Sequence, residues 1–173
     1  VGAGVRLSVL IREAAAFELG GIECLVGIPG TIGGAVSVNA GTPDGFIGDF
    51  VSVVYFLHPN GDLGEFKPGA GAYRYRMLEI PRDALIVGAR ISMHRRPAGK
   101  VQQDIRHQIR QKRGVFPFGP AAAGFVWKNP PGATAGYLIA KVGLKGKRLN
   151  GAEISDRNAN FIVNRGEATA TEV

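Results

Sequence analysis

The sequence predicts an α+β fold built as two lobes, residues 1–97 and 98–173. Three observations carry that expectation. Helical and strand patterns alternate irregularly, the strands include hairpins, and a polar stretch containing both Pro and Gly, HRRPAGK at 94–100, interrupts the chain midway. A doubly wound parallel sheet would need regular alternation of strand and helix instead.

In chain order, VGAGV at the start reads as strand and turn. Leu7, Leu10, Ile11, Ala14 and Phe17 recur at helical spacing, and Gly20-Gly21 is the expected stop. Val51–Leu57 is a β-branched and aromatic run. It is followed by the turn signal HPNGD, which predicts a hairpin returning through Leu63–Phe66. Ala84–Met93 is a further strand, and 94–100 is the linker. Val101, Ile105 and Ile109 then mark a helix whose basic far side carries Arg106, Arg110, Lys112 and Arg113. No aromatic residues interleave with those cations, so they read as a solvated face and not as a base-stacking surface. Strands are expected at Phe125–Trp127 and Phe161–Asn164, with a helix at Ala135–Val142 that Gly143 terminates. Thr169 and Glu172 have capping-box spacing. With no initiator Met at one end and a helix start at the other, the chain reads as a fragment of a longer protein.

Composition narrows the function classes. The chain has 173 residues, 45% hydrophobic and 20% charged, as in a folded globular protein. No apolar run approaches the roughly 20 residues that span a bilayer. The single cysteine, Cys24, forms no internal disulfide, fits a cytoplasmic protein, and reads as a small core thiol. His58, His94 and His107 are far apart with no Cys, Asp or Glu at ligand spacing, so no metal site is expected. A net charge of +7, from 21 Lys and Arg against 14 Asp and Glu, favours anionic partners.

Three segments carry candidate chemistry. GIPGTIGGAVSVNAG, Gly27–Gly41, is rich in glycine and free of charge, although charge is common elsewhere in the chain. Glycine lets main-chain N–H groups approach a phosphate or a flat ring; it also serves tight turns, and both readings stand. It spells neither G-x-G-x-x-G nor a P-loop. In GFVWKNPPGATAG, Gly124–Gly136, Lys128 and Asn129 precede a Pro-Pro-Gly turn and a helix start. That combination suits a phosphate or carboxylate, or alternatively Asn129 caps the turn and Lys128 faces solvent. In AYRYRMLE, Tyr73 and Tyr75 alternate with Arg74 and Arg76, which in a strand gives one tyrosine face and one arginine face.

Taken together these segments resemble the UDP-N-acetylenolpyruvoylglucosamine reductase family. The likeness runs through GIPGTIGGAVSVNAG, Gly45, Ile47 and Asp49, Tyr75-Arg76, Lys128-Asn129-Pro130, and AGYLIAKVGLKGKRLNGAEISDRNANFIVN at Ala135–Asn164. It implies the C-terminal lobe of a FAD-binding domain over 1–97 and a truncated substrate-binding domain over 98–173. It further implies FAD contacts at Gly30, Thr31, Gly33, Gly34 and Asn39, substrate contacts at Tyr75, Lys128 and Asn129, and a catalytic Arg76 that stabilises charge developing on the substrate. The implied partners are NADPH as reductant and a UDP-sugar, with neither nucleic acid nor membrane involved. The implied product is UDP-N-acetylmuramate, for peptidoglycan synthesis.

Against the family pattern three departures are expected to matter: the N-terminal flavin-binding lobe and the family's C-terminal acidic partner are not in this chain, and the proton-donor position is changed. The position of the family's proton donor, a Ser or Cys, is Phe125, and a phenyl ring has no exchangeable proton. Leu78 stands where the family's Tyr-Arg-x-Ser pattern has Ser. A non-catalytic relative that keeps flavin or nucleotide-sugar binding is therefore the second reading.

Overall fold

The first helix, α1 (Leu7–Ala16), follows from its spacing: Leu7, Leu10, Ile11 and Ala14 are buried on one stripe. It stops earlier than the Gly20-Gly21 signal suggests. Glu18 takes a left-handed conformation, φ 57°, and Phe17, expected on the apolar stripe, lies past the helix end and is 68% exposed. In the computed structural model, residues 1–69, 71–81, 83–97, 99–117, 121–122 and 124–173 are described. They divide into two units, Val1–Ile109 and Arg110–Val173.

In the first unit, α1 is followed by β1 (Leu19–Gly20), a turn at Glu23–Leu25, α2 (Ile32–Ser37), and the short pair β2 (Gly41–Thr42) and β3 (Gly45–Phe46). Then come β4 (Val51–Leu57), β5 (Leu63–Phe66), β6 (Tyr73–Arg74), β7 (Met77–Leu78), β8 (Leu85–Ile91) and β9 (His94–Arg95). The main sheet has the antiparallel order β5-β4-β8. The β4–β5 hairpin closes as the HPNGD signal predicts: Gly61 adopts φ 91° and donates to His58 O at 2.9 Å. Val51 and Val54 of β4 join α1, the Glu23–Leu25 turn and α2 in one apolar core.

Two expectations need correction here. His94–Arg95, read as linker, pairs antiparallel with Leu19–Gly20, because β1 offers an open edge beside it; Ala98 of the linker lies outside the described residues. The Tyr-Arg repeat does not continue as one strand. It folds back at Tyr75-Arg76, with Tyr73 opposite Leu78 and Arg74 opposite Met77.

Helix α3 (Lys100–Arg113) runs from the first unit into the second. Its basic face is exposed at Arg106, Arg110 and Arg113, whereas Lys112 is buried. The second unit contains β10 (Ala121–Ala122), α4 (Ala135–Lys141), β11 (Arg148–Leu149), β12 (Ala152–Ile154) and β13 (Ile162–Asn164), in the antiparallel sheet order β10-β13-β12-β11. Helix α4 ends where predicted, with Gly143 at φ 77°. Phe125–Trp127 is not a strand. Its backbone pairs with a side chain: the Asn160 amide accepts from Trp127 N–H at 2.8 Å and donates to Trp127 C=O at 2.9 Å. No helix of the described residues is long and apolar enough to cross a membrane.

Candidate functional site

The glycine-rich segment separates into two classes once its hydrogen bonds are traced. The N-terminal residues lie alongside it: Leu7 N–H donates to Gly30 O, Ile32 N–H to Val5 O, and Gly33 N–H to Ala3 O at 2.9 Å. Gly33 is therefore engaged by the protein itself, and a Cβ there would lie 2.8 Å from the Ala3 Cβ. Gly30 and Gly34 are different. Both are exposed, and a Cβ at Gly30 would meet nothing within 4 Å, although its φ of 121° favours glycine.

Thr31 occupies the position that caps α2, where a threonine hydroxyl ordinarily accepts from the second or third N–H of the helix. Here it makes no such bond. The N–H groups of Thr31 and Gly34 consequently have no acceptor among the described residues. Unengaged N–H groups at a helix start suit an anionic group such as a diphosphate. By this test the segment fits a dinucleotide cofactor at Thr31 and Gly34 on its outer side, with Gly33 serving the fold.

Asn39, at the end of the same segment, is buried and left-handed, φ 45°. Its side chain is used within the chain: Oδ1 accepts from Gly48 N–H at 3.1 Å and Nδ2 donates to Arg74 C=O at 3.4 Å. Asparagine tolerates this backbone better than other side chains do, which explains the residue type locally. Gly48 is closely covered, since a Cβ there would lie 2.6 Å from Tyr73 Cγ and 2.8 Å from Asn39 Oδ1. The Tyr73 hydroxyl is buried without a hydrogen-bond partner among the described residues, and burial pushes its pKa up to about 12.

The β6–β7 hairpin is thus seated on the glycine-rich segment, and its two-residue turn consists of Tyr75 and Arg76. Arg76 adopts φ 60°, the conformation that the third residue of a type II turn requires and that glycine or asparagine ordinarily supplies. An arginine held there is a strained choice of the kind that concentrates at functional positions. Its Cζ lies 5.9 Å from the centroid of the Tyr75 ring, and Tyr75 is half exposed. Arg74 is committed elsewhere, in an ion pair with Glu79 at 2.7 Å. Asn39 therefore brings the candidate cofactor segment and the candidate catalytic turn together, a link the sequence does not announce.

In the second unit, Asn129 Oδ1 accepts from Ala135 N–H at 2.9 Å and Thr134 Oγ1 from Tyr137 N–H at 3.2 Å, so both side chains satisfy the start of α4. This realises the capping alternative for Asn129. Lys128 is exposed and makes no ion pair among the described residues. Phe125 packs its ring against Phe161 at 4.8 Å and Phe116 at 5.6 Å and remains 38% exposed. Phe125–Asn129 is positioned by Asn160, a residue that sequence patterns single out only as part of the ANFIVN stretch.

Residues 116–173 match the model of the UDP-N-acetylenolpyruvoylglucosamine reductase C-terminal domain. The whole chain is 41% identical to the UDP-N-acetylenolpyruvoylglucosamine reductase of Syntrophobacter fumaroxidans, covering 50% of that protein. It is 39% identical to that of Moorella thermoacetica, with 99% of this chain and 57% of that protein covered. The crystal structure of the Thermus caldophilus reductase superposes with a TM-score of 0.88 at 38% identity, covering 99% of this chain and 64% of that one. The chain thus spans between half and two thirds of the length of these relatives.

Proposed function

We infer from these likenesses that the chain belongs to the UDP-N-acetylenolpyruvoylglucosamine reductase family, and on that premise we propose that it forms part of a flavin-dependent reductase of peptidoglycan precursor synthesis, acting in the cytoplasm on UDP-N-acetylglucosamine enolpyruvate. The observation that carries the cofactor reading is the uncapped start of α2, where Thr31 and Gly34 keep N–H groups for an anion. FAD, reduced by NADPH, would supply the hydride.

The protein's own residues do the rest. Thr31 and Gly34 hold the cofactor diphosphate, and Gly30 leaves room for it. Reduction of the enolpyruvyl double bond places negative charge on the carbon and carboxylate beside it. Arg76 stabilises that charge, a contribution of about 3–4 kcal/mol for one donor of this kind. Tyr75 and Lys128 contact the substrate, Lys128 as a cation for phosphate or carboxylate, and Asn129 holds Lys128 in place through the α4 start. Phe125 supplies no proton, so the final protonation draws on water.

A second reading is favoured by Phe125 specifically: a relative that binds flavin or nucleotide sugar without turnover. The two separate in the full-length protein by titrating FAD and following NADPH oxidation with and without the UDP-sugar. The reductase reading requires FAD binding and substrate-dependent NADPH oxidation. Binding of FAD or of the UDP-sugar without substrate-dependent oxidation selects the second reading, and failure to bind either one defeats both.

A further inference from the structure

We propose that Asn39 is a positioning residue for Arg76, holding the Tyr75-Arg76 turn in place through the main chain, in place of a direct contact to the cofactor. The proposal rests on the reading of Arg76 as the charge-stabilising residue, and it starts from what the Asn39 amide already does. Its oxygen takes the Gly48 N–H and its nitrogen donates to the Arg74 carbonyl, two residues before Arg76. One small side chain thereby ties three segments: the end of the glycine-rich stretch, the Ile47–Asp49 turn and the β6–β7 hairpin.

The hairpin needs such a tie. Each of its strands is two residues long, and a pairing that short is marginal by itself. Its turn holds an arginine at φ 60°, a conformation an unrestrained chain would relax away from. Other contacts share the load: Leu78 is buried in the core, the Tyr73 ring lies over Gly48, where even a methyl group would collide, and Glu79 pairs with Arg74 and donates its N–H to Ala72 C=O at 2.9 Å. Gly48 is held in turn by Asn39. Loss of the Asn39 donor removes the side-chain tie on the Arg74 carbonyl, which then keeps only its hairpin pairing with Met77, and lets the hairpin shift as a unit on its seat; displacement of a catalytic group by about 1 Å can cost on the order of 10²-fold in rate.

The residue type is informative. Aspartate would keep the shape and the acceptor for Gly48 but could not donate to Arg74. Glycine would keep the left-handed backbone and lose both bonds. The test uses the full-length protein with Asn39→Asp and Asn39→Gly, and Gly48→Ala as an independent disturbance of the same seat. Three quantities are read: kcat with KM for the UDP-sugar, affinity for FAD, and amide exchange over residues 73–79 compared with α1. The expected result is a kcat lowered about 10²-fold in Asn39→Asp, FAD affinity within about 2-fold of the parent, and faster exchange confined to 73–79. Gly48→Ala should reproduce that exchange pattern. Weakened FAD binding with unchanged exchange over 73–79 would overturn the proposal and return Asn39 to the cofactor. Unchanged kcat in both Asn39 variants would overturn it as well. If the parent protein itself lacks turnover, the reductase reading fails, and exchange over 73–79 alone decides whether Asn39 holds the turn.

Discussion

Gly33 donates its N–H to the Ala3 carbonyl at 2.9 Å, and a Cβ on Gly33 would stand 2.8 Å from the Cβ of Ala3. Gly34, its neighbour, is exposed and would meet only Thr31 Oγ1 at an ordinary 3.7 Å. Alanine at the two positions should therefore act in opposite ways. Gly33→Ala should destabilise by about 1–3 kcal/mol through overpacking. Gly34→Ala should be neutral or stabilise by up to about 1 kcal/mol, because alanine favours a helix, while weakening FAD binding. Urea denaturation and FAD titration on both variants check this; equal stability losses would show that Gly34 also serves only the fold.

Tyr73 keeps a buried hydroxyl with no hydrogen-bond partner among the described residues. Removing an unpaired polar group costs little, so Tyr73→Phe should leave stability unchanged or raise it by about 1 kcal/mol. The sign with pH follows from burial. The folded-state pKa is raised from 10.0 to about 12, so this tyrosine's contribution is complete below pH 10 and is lost as pH rises towards 12. Thermal unfolding across that range should show a shallower alkaline decline in the Phe variant. A clear loss of stability at neutral pH would mean that the hydroxyl has a partner.

Glu153, buried in β12, accepts from Arg165 at 2.7 and 3.0 Å and from Arg148. The hydrogen bonds from Arg165, with those from Arg148, hold its pKa below the ordinary glutamate value in spite of burial. A depressed carboxylate stabilises the fold above the ordinary carboxylate range and loses that contribution as pH falls through and below it. Glu153→Gln should lower the melting temperature at neutral pH and flatten its acid dependence. A variant with the parent's acid profile would assign acid sensitivity to other groups.

Asn160 supplies both hydrogen bonds that hold Trp127 in its irregular segment. Asn160→Ala leaves the part-buried N–H and C=O of Trp127 to find other partners and should cost about 1–3 kcal/mol. Denaturant unfolding reads the cost, and a loss below about 1 kcal/mol would show that Phe125–Asn129 is held by other contacts.

Elements governed by local pattern were legible in the sequence. The stripe of Leu7, Leu10, Ile11 and Ala14, the turn that closes β4 on β5, and the α4–Gly143 stop all follow from neighbours in the chain. What was not legible depends on distant partners. Phe125–Trp127 has strand composition, yet the main chain of Trp127 is satisfied by the side chain of Asn160, thirty-three positions away, and Val126 N–H by the Asn160 carbonyl. The Tyr-Arg repeat has strand alternation, but Arg76 turns the chain with a backbone angle its residue type disfavours, so nothing local marks the turn. The glycine-rich stretch was legible as a unit; its division into Gly33 for packing and Gly30 and Gly34 for access required Ala3.

Arg76 and Phe125 carry the central claim between them, one supplying charge stabilisation and the other withholding a proton. The direct measurement is single-turnover formation of UDP-N-acetylmuramate from UDP-N-acetylglucosamine enolpyruvate by the full-length, FAD-loaded, NADPH-reduced protein, with Arg76→Ala and Phe125→Ser beside the parent. The account predicts a slow parent, a further loss of about 10²–10³-fold in Arg76→Ala, and a gain of about 10²-fold or more in Phe125→Ser once a general acid is present. Phe125 is 38% exposed, so its replacement should leave the protein folded. No product from either the parent or Phe125→Ser, or an Arg76→Ala protein as fast as the parent, would contradict it.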